Sequence, residues 1–163
     1  MPTNYVHRSQ QNIGESANNK FLTLWGDAYQ GGPGWGGGWE TWPDGAGSGQ
    51  LKYHNFRPDQ SHRADPAHAS VRPFDLADRG TWVTFTAQVK LATAANNDGE
   101  MRVWRRRGGN GANELIYEMT SLPIYNGAGN YLERGYLLGW TNSGFAETTV
   151  FYLDNVAIST SPL

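Results

Sequence analysis

TWVTFTAQVKLAT, residues 81–93, alternates strictly between apolar and polar side chains. Val83, Phe85, Ala87, Val89 and Leu91 fall on one side of an extended chain. Trp82, Thr84, Thr86, Gln88 and Lys90 fall on the other. A period of two sustained over this length predicts a strand with one face in a core. The next residues, AANNDG (94–99), reverse the chain, and Asp98-Gly99 suits a hairpin. EMRVWRRR (100–107) reads as the returning strand. GGNGAN (108–113) turns again, and ELIYEMT (114–120) forms the next strand.

Working outward, KFLTLW (20–25), a strand within the Trp-containing stretch 35–42, and QLKYHNFR (50–57) extend the pattern on the N-terminal side. In the last of these Leu51, Tyr53 and Asn55 oppose Lys52, His54 and Phe56. A short strand is expected at 3–9, and a loop at PDQSHRADPAHAS (58–70) with Pro58 and Pro66 as breakers. Residues 135–141 and 147–159 are expected to be the last two strands, joined by a tight turn at Asn142, Ser143 and Gly144, with Phe145 plugging the end of the sandwich. Asp154 and Asn155 interrupt the apolar run VFYLDNVAI (150–158), and a β-bulge accounts for them. The sum is about nine strands and no substantial helix: an all-β, antiparallel β-sandwich. No fixed repeat points to a propeller or solenoid.

Composition agrees. The 163 residues suit one domain and include 21 Gly, 7 Trp, 8 Tyr and 6 Phe, a mixture that favours short strands and loops. With no cysteine, a disulfide framework and thiolate-ligated metal are excluded. A net charge of -2 gives no general attraction to nucleic acid or anionic lipid. No apolar run is long enough for a transmembrane helix, and the start MPTNYVHRSQQNIGESANNK lacks the apolar centre of a signal peptide. The expected division is an N-terminal arm (1–19), a sandwich (20–160) and a short tail (161–163).

NKFLTLWGD, GTWVTFTAQVKLATAANNDGEMRVW and GYLLGWTNSGFAETTVFYLDNVAIST together resemble the concanavalin A-like jelly-roll domains, and within them the polysaccharide-lyase-like group. The resemblance spans residues 18–160. It implies a jelly-roll sandwich and a carbohydrate-related role. This chain departs from the pattern in having only about nineteen residues before NKF, where such domains carry further strands. The departure implies either a truncated sandwich or one completed by another chain, through the N-terminal arm or an open edge.

Candidate chemistry divides into two sets. Eliminative cleavage of a uronic-acid polymer requires a cation, a base and an acid on a concave sheet. Lys90, His54, Arg102 and Tyr117 would supply them. Glycan or partner binding would instead use Trp35, Trp39 and Trp42 as a stacking platform, with Lys52, His54, Gln88, Lys90, Arg102 and Trp104 around it. Trp25, Trp82, Trp104 and Trp140 fall inside expected strands, where sandwich-core or sheet-face packing accounts for them ahead of binding, and Arg105–Arg107 reads as a solvated hairpin tip. His7, His54, His62 and His68 show no metal spacing, and no cofactor is expected; Asp27, Asp98 and Asp154 could join carbonyls around a structural calcium, without a dedicated loop.

The leading expectation is a non-catalytic, lectin-like module acting as a structural, decoration or adhesion component of a larger assembly, on a phage virion or an extracellular surface. Its partners would be other protein subunits and an acidic or neutral polysaccharide. A polysaccharide lyase is the alternative, and a carbohydrate-binding module of a longer enzyme is another.

Overall fold

A computed structural model describes residues 19–26, 35–43, 49–57, 61–74, 78, 80–93, 96–125, 130–138 and 152–161. The expected strand at 3–9, the arm, the turn at 142–145 and Trp140 lie outside these residues. Eight strands appear: β1 (Asn19–Trp25), β2 (Gly36–Pro43), β3 (Gly49–Arg57), β4 (His62–Ala64), β5 (Val83–Lys90), β6 (Gly99–Arg107), β7 (Glu114–Leu122) and β8 (Arg134–Leu137). They form a five-stranded sheet in the order β4-β3-β2-β1-β8 and a three-stranded sheet in the order β5-β6-β7. Every pairing is antiparallel. Hairpins of consecutive strands account for both sheets, apart from β8, which returns to the edge of β1.

The core lies between the sheets. Phe21, Trp39, Leu51 and Tyr53 enter it from the larger sheet, and Met101, Val103, Ile116, Tyr117 and Leu122 from the smaller. Trp39 meets Tyr117 edge to face, with ring centroids 6.2 Å apart, a favourable geometry for two aromatic quadrupoles. A bulge in β1 between Lys20 and Leu22 lets Phe21 and Leu22 both reach the core, which strict alternation forbids. Phe21 then packs against Phe85 and Phe74. Gly37 makes a second adjustment. A Cβ there would lie 2.7 Å from the His54 carbonyl and 2.8 Å from the Tyr53 ring. Only glycine leaves room for Trp35 to stack on Tyr53.

Polar ties close the sandwich along its sides. In the segment expected to be loop, β4 forms a short edge and a 3-10 turn follows at Pro66–His68. Asp65 caps that turn by accepting from the Ala67 amide at 2.9 Å, and it also accepts from the Glu118 amide of β7 at 2.7 Å. Tyr117 donates its hydroxyl to the Arg63 carbonyl at 3.2 Å. These bonds join the edge of one sheet to the edge of the other. Asp98 ends the β5–β6 connection by accepting from the backbone amide and hydroxyl of Thr93, both at 2.7 Å.

The arginine run departs from its reading as a solvated tip. Arg105 is buried, at 4 % exposure. Its guanidinium donates to the Arg72 and Pro73 carbonyls and to Glu114 at 2.5 Å. Arg107 grips both oxygens of Asp78, at 2.5 and 3.1 Å. The two side chains fasten the segment leading into β5. Carbonyls that end a loop need donors when buried, and a forked guanidinium reaches several at once.

The expected final strand at 147–159 is corrected over the residues described. Residues 152–159 pair with no strand, and Ile158 is 95 % exposed. No neighbouring ladder holds them, and Asn155 takes a left-handed φ of 53°.

Replacing Arg105 by Ala leaves buried carbonyls without donors and Glu114 without its cation. The expected loss is about 2–4 kcal/mol, against less than about 0.5 kcal/mol for Thr84→Ala on the exposed face of β5. Urea denaturation of both variants measures the difference.

Candidate functional site

Residues opposite each other in register share a face, so the pairing of β1, β2, β3 and β8 determines what the outer side of the larger sheet presents. Lys20 stands opposite Glu40, Thr23 opposite Gly38, and Trp25 opposite Gly36. Glu40 stands opposite Lys52, and Gly38 opposite His54. Tyr136 faces Thr23, and Arg134 faces Trp25. The outer face is therefore cationic and aromatic, with two glycines of the middle strand between its flanks.

Glu40 is its centre and is fully buried. One carboxylate oxygen accepts from Lys20 Nζ at 2.5 Å and from His54 Nδ1 at 2.8 Å. An ionised carboxylate only accepts, so His54 donates to Glu40 from Nδ1. Burial pushes the Glu40 carboxyl up, but the bonds from His54 and Lys20 together with their charge outweigh it and bring it down to about 2. The Lys20 and Glu40 side chains are 5 % and 1 % exposed, and His54 is 12 % exposed. Of the three, His54 is the group at the boundary with solvent.

The Thr23 hydroxyl, also buried, has no hydrogen-bond partner among the described residues. Beside it, Trp25 and Tyr136 meet edge to face with centroids 5.9 Å apart. Half-buried rings can meet the C–H faces of sugars, and polar groups at the solvent boundary can meet their hydroxyls and carboxylates.

Of the residues expected from sequence, Lys52 and His54 lie on this face. The others do not converge on it. Lys90 bonds Glu100 at 3.1 Å, and Arg102 bonds Glu118 at 2.6 Å and also Glu100. The three strands β5, β6 and β7 thus carry an ion-pair ladder on the outer face of the smaller sheet. Glu118, then Glu100, hold Arg102 more firmly protonated, while Lys90, then Arg102, pull Glu100 below its ordinary value. Gln88 and Trp104 share that face, Gln88 exposed and Trp104 half-buried. The two sheets meet through one core, so their outer faces point apart.

Tyr117 is corrected from a candidate acid to a core residue, 1 % exposed. Burial, reinforced by Tyr53 and Asp65, pushes its phenol far above the ordinary value, so it is a poor proton donor or acceptor for catalysis. Trp35 and Trp39 are likewise corrected from an exposed platform. They are buried at 3 % and 0 % exposure, and the Trp35 indole donates to the Tyr53 hydroxyl, which donates to Asn55 Oδ1 at 2.9 Å. The strand expected within 35–42 is β2, the central strand of the larger sheet, and it is buried on both sides. Trp42 belongs to β2, but its side chain lies outside the described residues, as do Asp27, His7 and the His62 side chain. His68 is bonded to Asp65 at 2.5 Å. Asp154 is exposed and accepts from the Asn155 amide at 2.8 Å. Among the described residues no group of three or more His, Asp or Glu stands together as metal ligands.

Sequence reasoning missed Lys20, Glu40, Thr23, Trp25 and Tyr136 as members of one face. Alternation within each strand separates inward from outward positions, but only the register between strands brings these five together.

No known protein family, no curated protein and no solved structure matches this chain.

The Glu40 carboxyl is lowered on folding, so its contribution to stability is complete above its ordinary value of 4.5 and disappears as pH falls toward about 2. Glu40→Gln should destabilise the protein at neutral pH by about 3 kcal/mol, because Lys20 is left buried and unmatched. It should also flatten the stability profile between those two pH values. Denaturant titrations of both proteins across that range test the sign and the window.

Proposed function

We propose that this chain is a non-catalytic, lectin-like module of jelly-roll type. It binds an acidic or neutral polysaccharide through the outer face of the five-stranded sheet and serves as a component of a larger assembly, on a virion or an extracellular surface. The observation that carries the reading is the edge-to-face pair of Trp25 and Tyr136 on the same sheet face as Lys52, His54 and Arg134, the face that also holds the buried Lys20–Glu40 pair. Aromatic rings and cations are arranged there as a binding surface would need them. The groups of an eliminative lyase are parcelled out instead: His54 on one outer face, Lys90 and Arg102 paired with carboxylates on the other, and Tyr117 in the core. A base, an acid and a neutralising cation must act on one sugar ring, within a few ångströms.

The assembly half of the reading has separate support. Tyr152, Leu153, Val156 and Ile158 are 54–95 % exposed within one short segment. A contiguous apolar run of this kind marks a surface that another chain covers.

Calorimetric titration with alginate, glucuronan, a heparin-like polymer and a neutral glucan tests the binding reading. At least one should bind, and Trp25→Ala should weaken that binding at least about tenfold. Absorbance at the unsaturated-uronate band should stay flat with every polymer. A rise that His54→Asn abolishes would replace this reading by a lyase, and absence of binding across the set would remove the glycan from it.

A further inference from the structure

Among the described residues, neither the exposed C-terminal segment nor the outer edge of β5 has a partner strand. The segment first. Tyr152, Leu153, Val156 and Ile158 do not alternate as a plain strand would require, because Asp154 and Asn155 intervene. Asn155 stands at φ 53°, and its amide bonds the Asp154 side chain at 2.8 Å. A left-handed residue at that point is the mark of a bulge, in which two residues occupy the place of one. Counting Asp154 and Asn155 as one position places Leu153, Val156 and Ile158 on one face. Tyr152, the Asp-Asn pair and Ala157 fall on the other. With the bulge, the segment is a strand with a continuous apolar side.

The acceptor is β5. Among the described residues no strand pairs with its outer edge. Its core-facing side chains are only partly covered: Val83, Phe85 and Val89 are half-buried, whereas Met101 and Val103 of the adjacent β6 are fully buried. Among the described residues no strand closes the core beyond β5. The other edges suit a guest less well. The outward Glu118 amide of β7 is taken by Asp65, β4 has three residues and β8 four, while β5 offers eight.

We propose that Tyr152–Ile158 of one copy adds as a bulged strand to the outer edge of β5 in a second copy, reciprocally, closing a two-fold dimer. This names the partner within the assembly reading above and rests on that reading, not on glycan binding. The occupant is a second copy because each chain carries both donor and acceptor. A two-fold exchange satisfies the two in one step, whereas a different protein would cover one half and leave the other open. Leu153, Val156 and Ile158 complete the core beside Val83, Phe85 and Val89. Asp154 comes to the face that carries Lys90, whose side chain is 48 % exposed.

Sedimentation equilibrium of the full chain over a concentration series, with hydrogen exchange at each end of the series, tests this. A dimer is expected, with amides of 84–90 and 153–158 protected together and both losing protection on dilution. Val156→Lys and Ile158→Lys alter residues exposed in the single chain, so both variants should fold, and each should raise the dimer Kd at least about a hundredfold. Protection of 153–158 in a monomer would overturn the exchange by placing the segment on its own chain. A larger assembly insensitive to both variants would overturn the exchange and leave the assembly reading standing. A chain monomeric at every concentration, with 153–158 unprotected, would overturn both.

Discussion

A carboxylate buried at the middle of a sheet is the constraint around which this molecule is arranged. Glu40 cannot keep its charge inside the protein alone. It keeps it because Lys20 and His54 arrive from the strands on either side and bond the same oxygen. That requirement ties β1, β2 and β3 into one register, since a slip of one residue would turn Lys20 or His54 to the other face. The same register turns Trp39, Leu51 and Tyr53 into the core. The packed face and the polar face of the larger sheet thus follow from one alignment of strands. The bulge after Lys20 belongs to it as well, because it lets β1 give its lysine to Glu40 and still place two successive apolar residues inside.

Charge elsewhere is used for fastening. Lys90, Glu100, Arg102 and Glu118 cross-link the smaller sheet on its solvent side, where exposed pairs contribute little each. Arg105, Arg107 and Asp65 act at the margins and are better sheltered, holding the crossover into β5 and the turn after β4. Lys20 and His54 are engaged in the same way with Glu40, so what distinguishes the proposed binding face is its aromatic pair, Trp25 and Tyr136.

Much of the architecture was legible from periodicity. The alternation in 81–93 and its return in 100–107 predicted β5 and β6, and the all-β sandwich followed from their repetition along the chain. Lys52 and His54 were assigned to one side of β3 from the same rule, and that side is the outer face. What escaped was relational. Glu40 looks unremarkable between two tryptophans, and Lys20 looks like a flanking charge; only pairing across strands joins them. The strand around Trp35 and Trp39 was legible, but its glycines suggested an exposed platform, whereas glycine there marks close packing of backbone and ring, as at Gly37. Tyr117 looked like a candidate acid because a tyrosine alone does not tell on which side of its strand it lies when the alternation breaks. The register shift between Val103 and Trp104 is such a break.

Glu40 holds His54 through Nδ1, and in the proposed reading that ring belongs to the polysaccharide-binding face. The nitrogen and proton chemical shifts of the His54 ring at neutral pH test it most directly. A proton is expected on Nδ1 in a strong hydrogen bond, with ring resonances that move when an oligosaccharide of the bound polymer is added. A proton residing on Nε2 with Nδ1 bare, or a ring indifferent to saturating oligosaccharide, would contradict it.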